Sequence, residues 1–112
     1  MKRRGLRIEA GSNLVGANLS RANLSRANLD FASLTRINLS YANLTGADLS
    51  CASLSGDASL AGADLTDADL TGINMYTAEM ADAEWFCGDL IGSDLSGVNL
   101  SGATMPDGSM HP

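Results

Sequence analysis

Residues 17–54 read ANLSR ANLSR ANLDF ASLTR INLSY ANLTG ADLSC ASL, one five-residue pattern repeated without interruption. Each unit places a small or aliphatic residue before a polar residue and a leucine, and two variable residues complete it. A period of five does not fit an α-helix, on which successive leucines would step by about 140° around the cylinder. It does not fit one continuous strand either, because the leucines would alternate between faces. The stretch therefore predicts short strands separated by tight turns.

The same pattern extends in both directions and gives nineteen units between residues 12 and 105. One extra residue among Ser55, Gly56 and Asp57 shifts the phase, and we expect a one-residue bulge at a corner there. Between residues 75 and 85, Met or Trp replaces leucine, and a short helix is the alternative to continuing coils. The predicted core positions are Leu14, Leu19, Leu24, Leu29, Leu34, Leu39, Leu44, Leu49, Leu54, Leu60, Leu65, Leu70, Met75, Met80, Trp85, Leu90, Leu95 and Leu100.

Each unit is interpreted as a three-residue strand whose first and third side chains point inward and whose middle, polar side chain points outward. The second residue after the leucine is glycine in eight units, which suits a tight turn. If each unit turns through about a right angle, four units close a coil of roughly 20 residues, and coils stack at about 4.8 Å. The period alone does not decide between three and four units per coil.

The tandem A(D/N)LXX units resemble the signature of the pentapeptide-repeat family, and this resemblance implies four units per coil. The implied fold class is all-β, a right-handed quadrilateral parallel β-helix of about five coils. Residues 1–11 are expected to form an N-terminal cap and residues 12–105 the β-helix, with its slip near residues 55–57. Residues 106–112 begin with a proline that cannot donate to the ladder, so we expect a C-terminal turn and tail.

Charge is distributed unevenly along the chain. All seven Lys and Arg residues precede residue 48, whereas eleven acids and no Lys or Arg lie from Asp48 onward. With four units per coil, Asn28, Asp48, Asp69 and Asp89 form one outward column, Asn23, Asn43, Asp64 and Glu84 form the adjacent column, and Asp67 lies nearby at a turn. Two interpretations stay open: a solvated face that maintains solubility or, as the family resemblance implies, a surface that mimics double-stranded DNA.

A second set of candidate surface residues precedes the acidic region. These residues occupy successive second-turn positions and combine guanidinium groups with aromatic rings, a composition enriched at protein interfaces. Solvated corner residues are the alternative interpretation. The set is Arg21, Arg26, Phe31, Arg36 and Tyr41.

The sequence lacks the residue patterns that catalysis requires. Its only histidine, His111, lies in the terminal tail without a sequence-visible nucleophile or carboxylate partner. Cys51 and Cys87 are 36 residues apart without metal-like spacing, and we interpret them as free thiols in a reducing, cytoplasmic compartment. We expect no catalytic residues, no cofactor and no metal. No apolar run approaches the roughly 20 residues needed to cross a bilayer, so membrane insertion is not expected.

The sequence therefore predicts a non-catalytic protein-interaction or scaffold module with a rigid charged surface and a protein partner. The family resemblance implies an alternative, a DNA-mimicking regulator of a type II topoisomerase such as gyrase, because several members resemble double-stranded DNA in shape and charge. Direct nucleic-acid binding is not expected, since the acidic part would repel a polyanion. The opposite charges of the two ends permit self-association through the helix ends.

Overall fold

The computed structural model describes residues 2–3 and 6–112, and the side chains of residues 8–112. Strand β1 (Lys2–Arg3) pairs antiparallel with strand β2 (Leu6–Arg7), with Lys2 opposite Arg7. Parts of the predicted N-terminal cap, namely Met1, Arg4 and Gly5, lie outside the described residues. From residue 11 onward the chain forms single-residue parallel bridges separated by turns, which is the architecture of a β-helix.

Parallel bridges join the middle residues of units that are 20 residues apart, so four units make one coil. Asn43 is typical: its N–H donates to the Ala22 carbonyl at 2.9 Å, and its own carbonyl accepts from the Leu24 N–H at 2.8 Å. The bridged positions define four faces. Face A holds residues 13, 33, 53, 74 and 94; face B holds 18, 38, 59, 79 and 99; face C holds 23, 43, 64, 84 and 104; face D holds 28, 48, 69 and 89.

The corners between faces are tight turns, which we name AB, BC, CD and DA after the faces that they join. At the CD corner the Ala27 N–H donates to the Leu24 carbonyl at 3.0 Å, and Arg26 between them has a φ of 61°. A positive φ at the third of four residues is the geometry of a type II turn, and it favours glycine. Arg21 and Tyr41 also adopt it, with φ of 61° and 59°. The hydrogen bonds between coils therefore hold residues other than glycine in a disfavoured conformation.

The extra residue lies at the AB corner, where Ser55, Gly56 and Asp57 form a three-residue turn. Gly56 and Asp57 both have positive φ, 74° and 66°. Bridges that span this turn join residues 21 apart, as in Asp48 with Asp69, and later bridges return to 20. The columns of outward residues therefore continue across the insertion.

The core is a stack of leucine and alanine side chains along the axis. Exposure is 2% or less for the predicted core positions from Leu14 to Trp85. Residues 75–85 form no helix and continue the ladder, with Glu79 bridged to Ser59 and Glu84 to Asp64. Trp85 is completely buried, and its indole Nε1 is the one buried side-chain polar atom without a hydrogen-bond partner in the described part of the chain.

The two ends of the rod differ. At the N-terminal end Ile8 is 2% exposed and joins the core. At the C-terminal end three predicted core residues, Leu90, Leu95 and Leu100, pack against the core but are only partly buried, because no further coil of the described residues lies over them. The C-terminal tail folds back over face C alone, where Thr104 and Met110 form an antiparallel bridge.

Candidate functional site

The acidic residues predicted to form two columns lie on two adjacent faces of the β-helix. Asp48, Asp69 and Asp89 are consecutive bridged residues of face D. Asp64 and Glu84 are consecutive bridged residues of face C. Asp67 is an exposed second-turn residue at the corner between these faces. We call these six residues on faces C and D and at the CD corner the acidic surface.

The aspartates on faces C and D are each oriented by the backbone N–H of the residue two positions later. Oδ1 of Asp48 and of Asp69 accepts the N–H of the residue two positions later, at 3.0 Å in both cases. The hydroxyl groups of Ser50 and Thr71 donate to the same two Oδ1 atoms at 2.6 Å. All four contacts use Oδ1. The carboxylates are therefore held in place before any partner arrives.

At Asp69 the hydrogen bonds from Thr71 favour the charged form of the carboxyl group. The hydroxyl of Thr71 has the largest effect on the pKa of Asp69 and lowers it below its usual value of 3.8, and the Thr71 backbone N–H lowers it further. Burial opposes both effects weakly. Asp94 on face A has a lowered pKa for a similar reason, through the backbone and hydroxyl groups of Ser96. The Asp69 carboxyl group is therefore charged at neutral pH.

No described basic residue neutralises the acidic surface. Its six carboxylates form no ion pair with any residue of the described ranges. Carboxylates of one column follow one another at the strand spacing of about 4.8 Å, well within the Debye length of about 8 Å at physiological ionic strength. The negative potentials of these carboxylates therefore add over the acidic surface.

The second candidate set does not form a single patch. Arg26 lies at the CD corner, Phe31 at the DA corner and Arg36 at the AB corner. Only Arg21 and Tyr41 come together, at the BC corner, where the guanidinium carbon of Arg21 lies 4.9 Å from the centroid of the Tyr41 ring.

Tyr41 lies over the next residue of the BC corner, Gly62. A Cβ atom built on Gly62 would lie 2.5 Å from Cε1 of Tyr41, so the absence of a side chain makes room for the ring. The sequence did not predict this stacking, because it depends on side chains leaning along the corner toward the following coil.

The described residues include few other reactive or metal-binding side chains. Cys51 at the DA corner and Cys87 at the CD corner are both exposed and unpaired. The described residues form no pocket, and among them no group of His, Cys, Asp and Glu side chains is placed to hold a metal ion. The described residues form no helix that is long and apolar enough to cross a membrane.

Comparison with known proteins gives a family and a set of similar structures. A family model described as pentapeptide repeats matches residues 10–40, 32–56 and 57–84 in eight copies. The pentapeptide repeat protein Rfr23 from the cyanobacterium Cyanothece 51142 is 34% identical over 83% of this chain and 63% of its own, with a TM-score of 0.78. A pentapeptide repeat protein from Nostoc Pcc 7120 is 34% identical over 77% of this chain and 66% of its own, with a TM-score of 0.61.

A third similar structure is a pentapeptide repeat protein from the Arabidopsis thaliana thylakoid lumen. It is 28% identical over 88% of this chain and 68% of its own, with a TM-score of 0.58. The chain thus spans less than two thirds of the length of the two cyanobacterial proteins. No curated protein sequence matches it.

Proposed function

Because the chain belongs to the pentapeptide-repeat family, whose members are right-handed quadrilateral β-helices, we propose that it is a non-catalytic protein-interaction or scaffold module. The acidic surface binds a partner protein that presents a basic patch. The observation that carries this proposal is the alignment of Asp48, Asp69 and Asp89 beside Asp64 and Glu84 on two adjacent faces.

Rigidity and charge together suit this surface to recognition. Each face is held by hydrogen bonds between coils of 2.6–3.3 Å, so its carboxylates keep a fixed spacing that a partner can match. An uncompensated negative field speeds the encounter with a basic partner and disfavours acidic ones. The same field repels nucleic acid, so we expect no direct binding to DNA or RNA.

The exposed residues near the start of the rod are a secondary candidate contact. Phe31 is 66% exposed and Tyr41 59% exposed, and Arg21 stacks on the Tyr41 ring. Because Arg21, Arg26, Phe31, Arg36 and Tyr41 lie on different corners, one flat partner reaches only part of this set. We therefore assign the main contact to the acidic surface and place the protein in the cytoplasm, where exposed thiols such as Cys51 stay reduced.

A charge-matched pair of variants tests this proposal. The triple substitution Asp48→Asn, Asp69→Asn, Asp89→Asn removes three charges from face D but keeps an oxygen at each Oδ1 position, as Asn28 already does in the same column. The control Asp57→Asn, Asp82→Asn, Asp94→Asn removes three charges from face A and the AB and BC corners. Both variants change the formal net charge from −6 to −3, since each removes three carboxylates.

Affinity capture from extracts of the native host compares the two variants with the unmodified chain. The proposal predicts a basic protein that is captured by the unmodified chain and by the control but lost from the face D variant. Equal capture by all three proteins would exclude the acidic surface as the contact. Equal loss from both variants would show that only net charge matters.

A DNA-mimicking regulator of a type II topoisomerase is the second candidate function, and the parallel acid columns are the observation that favours it. Two features weigh against it. The rod is only 38 Å in its longest Cα extent, and its acids are concentrated from Asp48 onward. A gyrase supercoiling assay separates the candidates, because a mimic inhibits or protects gyrase whereas a scaffold leaves supercoiling unchanged.

A further inference from the structure

Face B carries charges of opposite sign along both of its corners, in an order that matches a second copy of the same face. Coils 1 to 4 begin on face A at residues 13, 33, 53 and 74. We propose that two copies of the chain associate side by side through face B and the AB and BC corners, with antiparallel rods. The contact lies between Val15 and Asp82, and face B is opposite face D, so the association does not depend on the acidic surface.

The charged side chains beside face B have no ion-pair partner within the chain. Arg21 and Asp82 lie at the BC corner in coils 1 and 4, and Arg36 and Asp57 lie at the AB corner in coils 2 and 3. All four are exposed, and none of them forms an ion pair with another residue of the described ranges. Coils are about 4.8 Å apart, so Arg21 and Asp82 of one chain are separated by roughly 14 Å along the rod. A charge pair between these two residues therefore requires a second molecule.

A two-fold axis brings these opposite charges together. An axis that lies in the plane of the contact, at right angles to the rods, reverses the rod direction but keeps each corner against the same corner. When the axis passes between coils 2 and 3, coil 1 of each copy meets coil 4 of the other, and coil 2 meets coil 3. Arg21 then faces Asp82 of the second copy, and Arg36 faces Asp57 of the second copy. By symmetry the dimer has four such Arg–Asp contacts.

The same axis brings exposed apolar and aromatic side chains together. Val15 in coil 1 and Tyr76 in coil 4 are both first-turn residues of the AB corner, and they are 43% and 54% exposed. Tyr41 is 59% exposed, and its ring leans from coil 2 over Gly62 in coil 3, which is the level of the axis. The two Tyr41 rings of the dimer therefore lie near its centre, where aromatic residues contribute most to binding.

The bridged residues of face B offer donors opposite acceptors. Oδ1 of Asn18 and of Asn38 already accepts the N–H of the residue two positions later, at 3.1 and 3.0 Å, so the Nδ2 groups are the donors left for another molecule. Across the axis Asn18 faces Glu79, and Asn38 faces Ser59. Glu79 accepts from Asn99 through Oε1, which leaves Oε2 for the second copy. The polar middle of the face therefore matches itself as its corners do.

Other side-by-side arrangements lack this match. On face D the same axis places Asp48 against Asp69, which are both carboxylates. Faces A and C each share one corner with face B, so each brings together only one of the two Arg–Asp pairs. Parallel rods joined through face B would place the AB corner against the BC corner of the same coil, where Arg36 meets Tyr41 and not an acid. The antiparallel contact through face B therefore pairs the most opposite charges.

The size of the contact predicts a dimer that dissociates on dilution. Four coils cover about 19 Å of the rod. With a transverse extent of 23 Å, the contact covers on the order of 450 Å² per copy, at the low end of specific interfaces.

Sedimentation velocity of the purified full chain over a concentration series tests the proposal. The expected result is an equilibrium between the 11.6 kDa monomer and a dimer, with no larger species. Arg21→Asp places like charges opposite each other and should weaken the dimer by about tenfold or more, and Asp82→Arg should do the same. The double variant Arg21→Asp, Asp82→Arg keeps the formal net charge at −6 and pairs the reversed charges, so it should restore the dimer to within about threefold.

Arg26→Asp is the matched control, because Arg26 is also an exposed second-turn residue of coil 1 with a positive φ but lies at the CD corner. It makes the same charge change and should leave the dimer unchanged. Emission from the single, buried Trp85 verifies that each variant folds. A monomer at all concentrations, an open-ended series of oligomers, a double variant that stays as weak as its parents, or equal weakening by Arg26→Asp and Arg21→Asp would each overturn the proposal.

The two charge-matched triple variants separate this contact from the acidic surface. Asparagine at positions 57, 82 and 94 removes two acids of the face B contact and should weaken the dimer. Asparagine at positions 48, 69 and 89 should leave the dimer unchanged. The order is the reverse of the one expected for capture of a basic partner, so failure of either proposal can be recognised separately. A dimer that only the face D variant weakens would contradict the contact through face B.

Discussion

The N-terminal and C-terminal halves of the rod share one backbone and differ in charge. Oδ1 of Asn28 in the first coil accepts an N–H at 3.1 Å, and Oδ1 of Asp69 two coils later accepts one at 3.0 Å. The fold uses a single side-chain oxygen at this position, so an amide and a carboxylate satisfy it equally. The inward residues therefore determine the shape of the rod, while the outward residues are free to determine what it binds.

The largest expected effect tests whether the two halves are equally well packed. Leu65→Ala removes a completely buried side chain and should lower the free energy of unfolding by about 2–5 kcal/mol. Leu95→Ala in the partly buried last coil should cost only about 1 kcal/mol, because its site can collapse toward solvent.

Urea unfolding followed by far-UV circular dichroism measures both free energies. Equal losses for the two variants would show that the last coil is as tightly packed as the middle of the rod, which would contradict the difference between the ends.

A smaller effect comes from the charged side chains that lie one above another on face D. The substitutions Asp48→Asn, Asp69→Asn and Asp89→Asn remove like charges from directly bridged positions, so they should stabilise the rod by on the order of 0.5 kcal/mol at low salt. The reverse change, Asn28→Asp, extends the column by one carboxylate and should destabilise it slightly. Thermal unfolding at low and high salt measures both changes, and both should shrink as salt is added. A gain in thermal stability that persists in high salt would indicate a cause other than repulsion between the carboxylates.

The smallest effect concerns protonation of a single carboxyl group. The Thr71 hydroxyl is the main cause of the lowered pKa of Asp69, so Thr71→Val should raise that pKa toward 3.8. A carboxyl group with a lowered pKa in the folded state stabilises the fold above its unfolded pKa, and this stabilisation is lost as the pH falls through the folded pKa. The variant should therefore lose less stability in acid.

Titration of the Asp69 carboxyl carbon by NMR measures this shift. Thr45→Val is the control, because the Thr45 hydroxyl makes the same bond, at 2.7 Å, to Asn43, which does not titrate. An Asp69 pKa that is unchanged by Thr71→Val would contradict the assigned cause.

The five-residue period predicted the short strands and the buried leucines, and the four units per coil implied by the family resemblance then predicted the columns of outward residues. Four units make a coil of 20 residues, so the bridge from Asn28 to Asp48 can be predicted from residue numbers. The bridge from Asp48 to Asp69 follows when the one extra residue is added. The same counting placed Asp64 and Glu84 on the adjacent face.

Features that depend on three-dimensional packing could not be predicted in this way. Leu95 matches the repeat as well as Leu65 does, yet only the structure shows that Leu95 is partly buried whereas Leu65 is completely buried. The period placed Trp85 in the core, but it does not reveal that the buried Nε1 atom has no hydrogen-bond partner among the described residues. The stacking of Arg21 on Tyr41 depends on the space above Gly62, which belongs to another coil.

The central claim is that the position of charge, and not its amount, determines what this rod binds. The most direct test is the dissociation constant of the captured partner for the unmodified chain and for the two charge-matched triple variants, measured side by side at one ionic strength. We predict that the face D variant, with asparagine at positions 48, 69 and 89, binds about tenfold more weakly. The control, with asparagine at positions 57, 82 and 94, should stay within about twofold of the unmodified chain. Equal weakening of the two variants would contradict the claim.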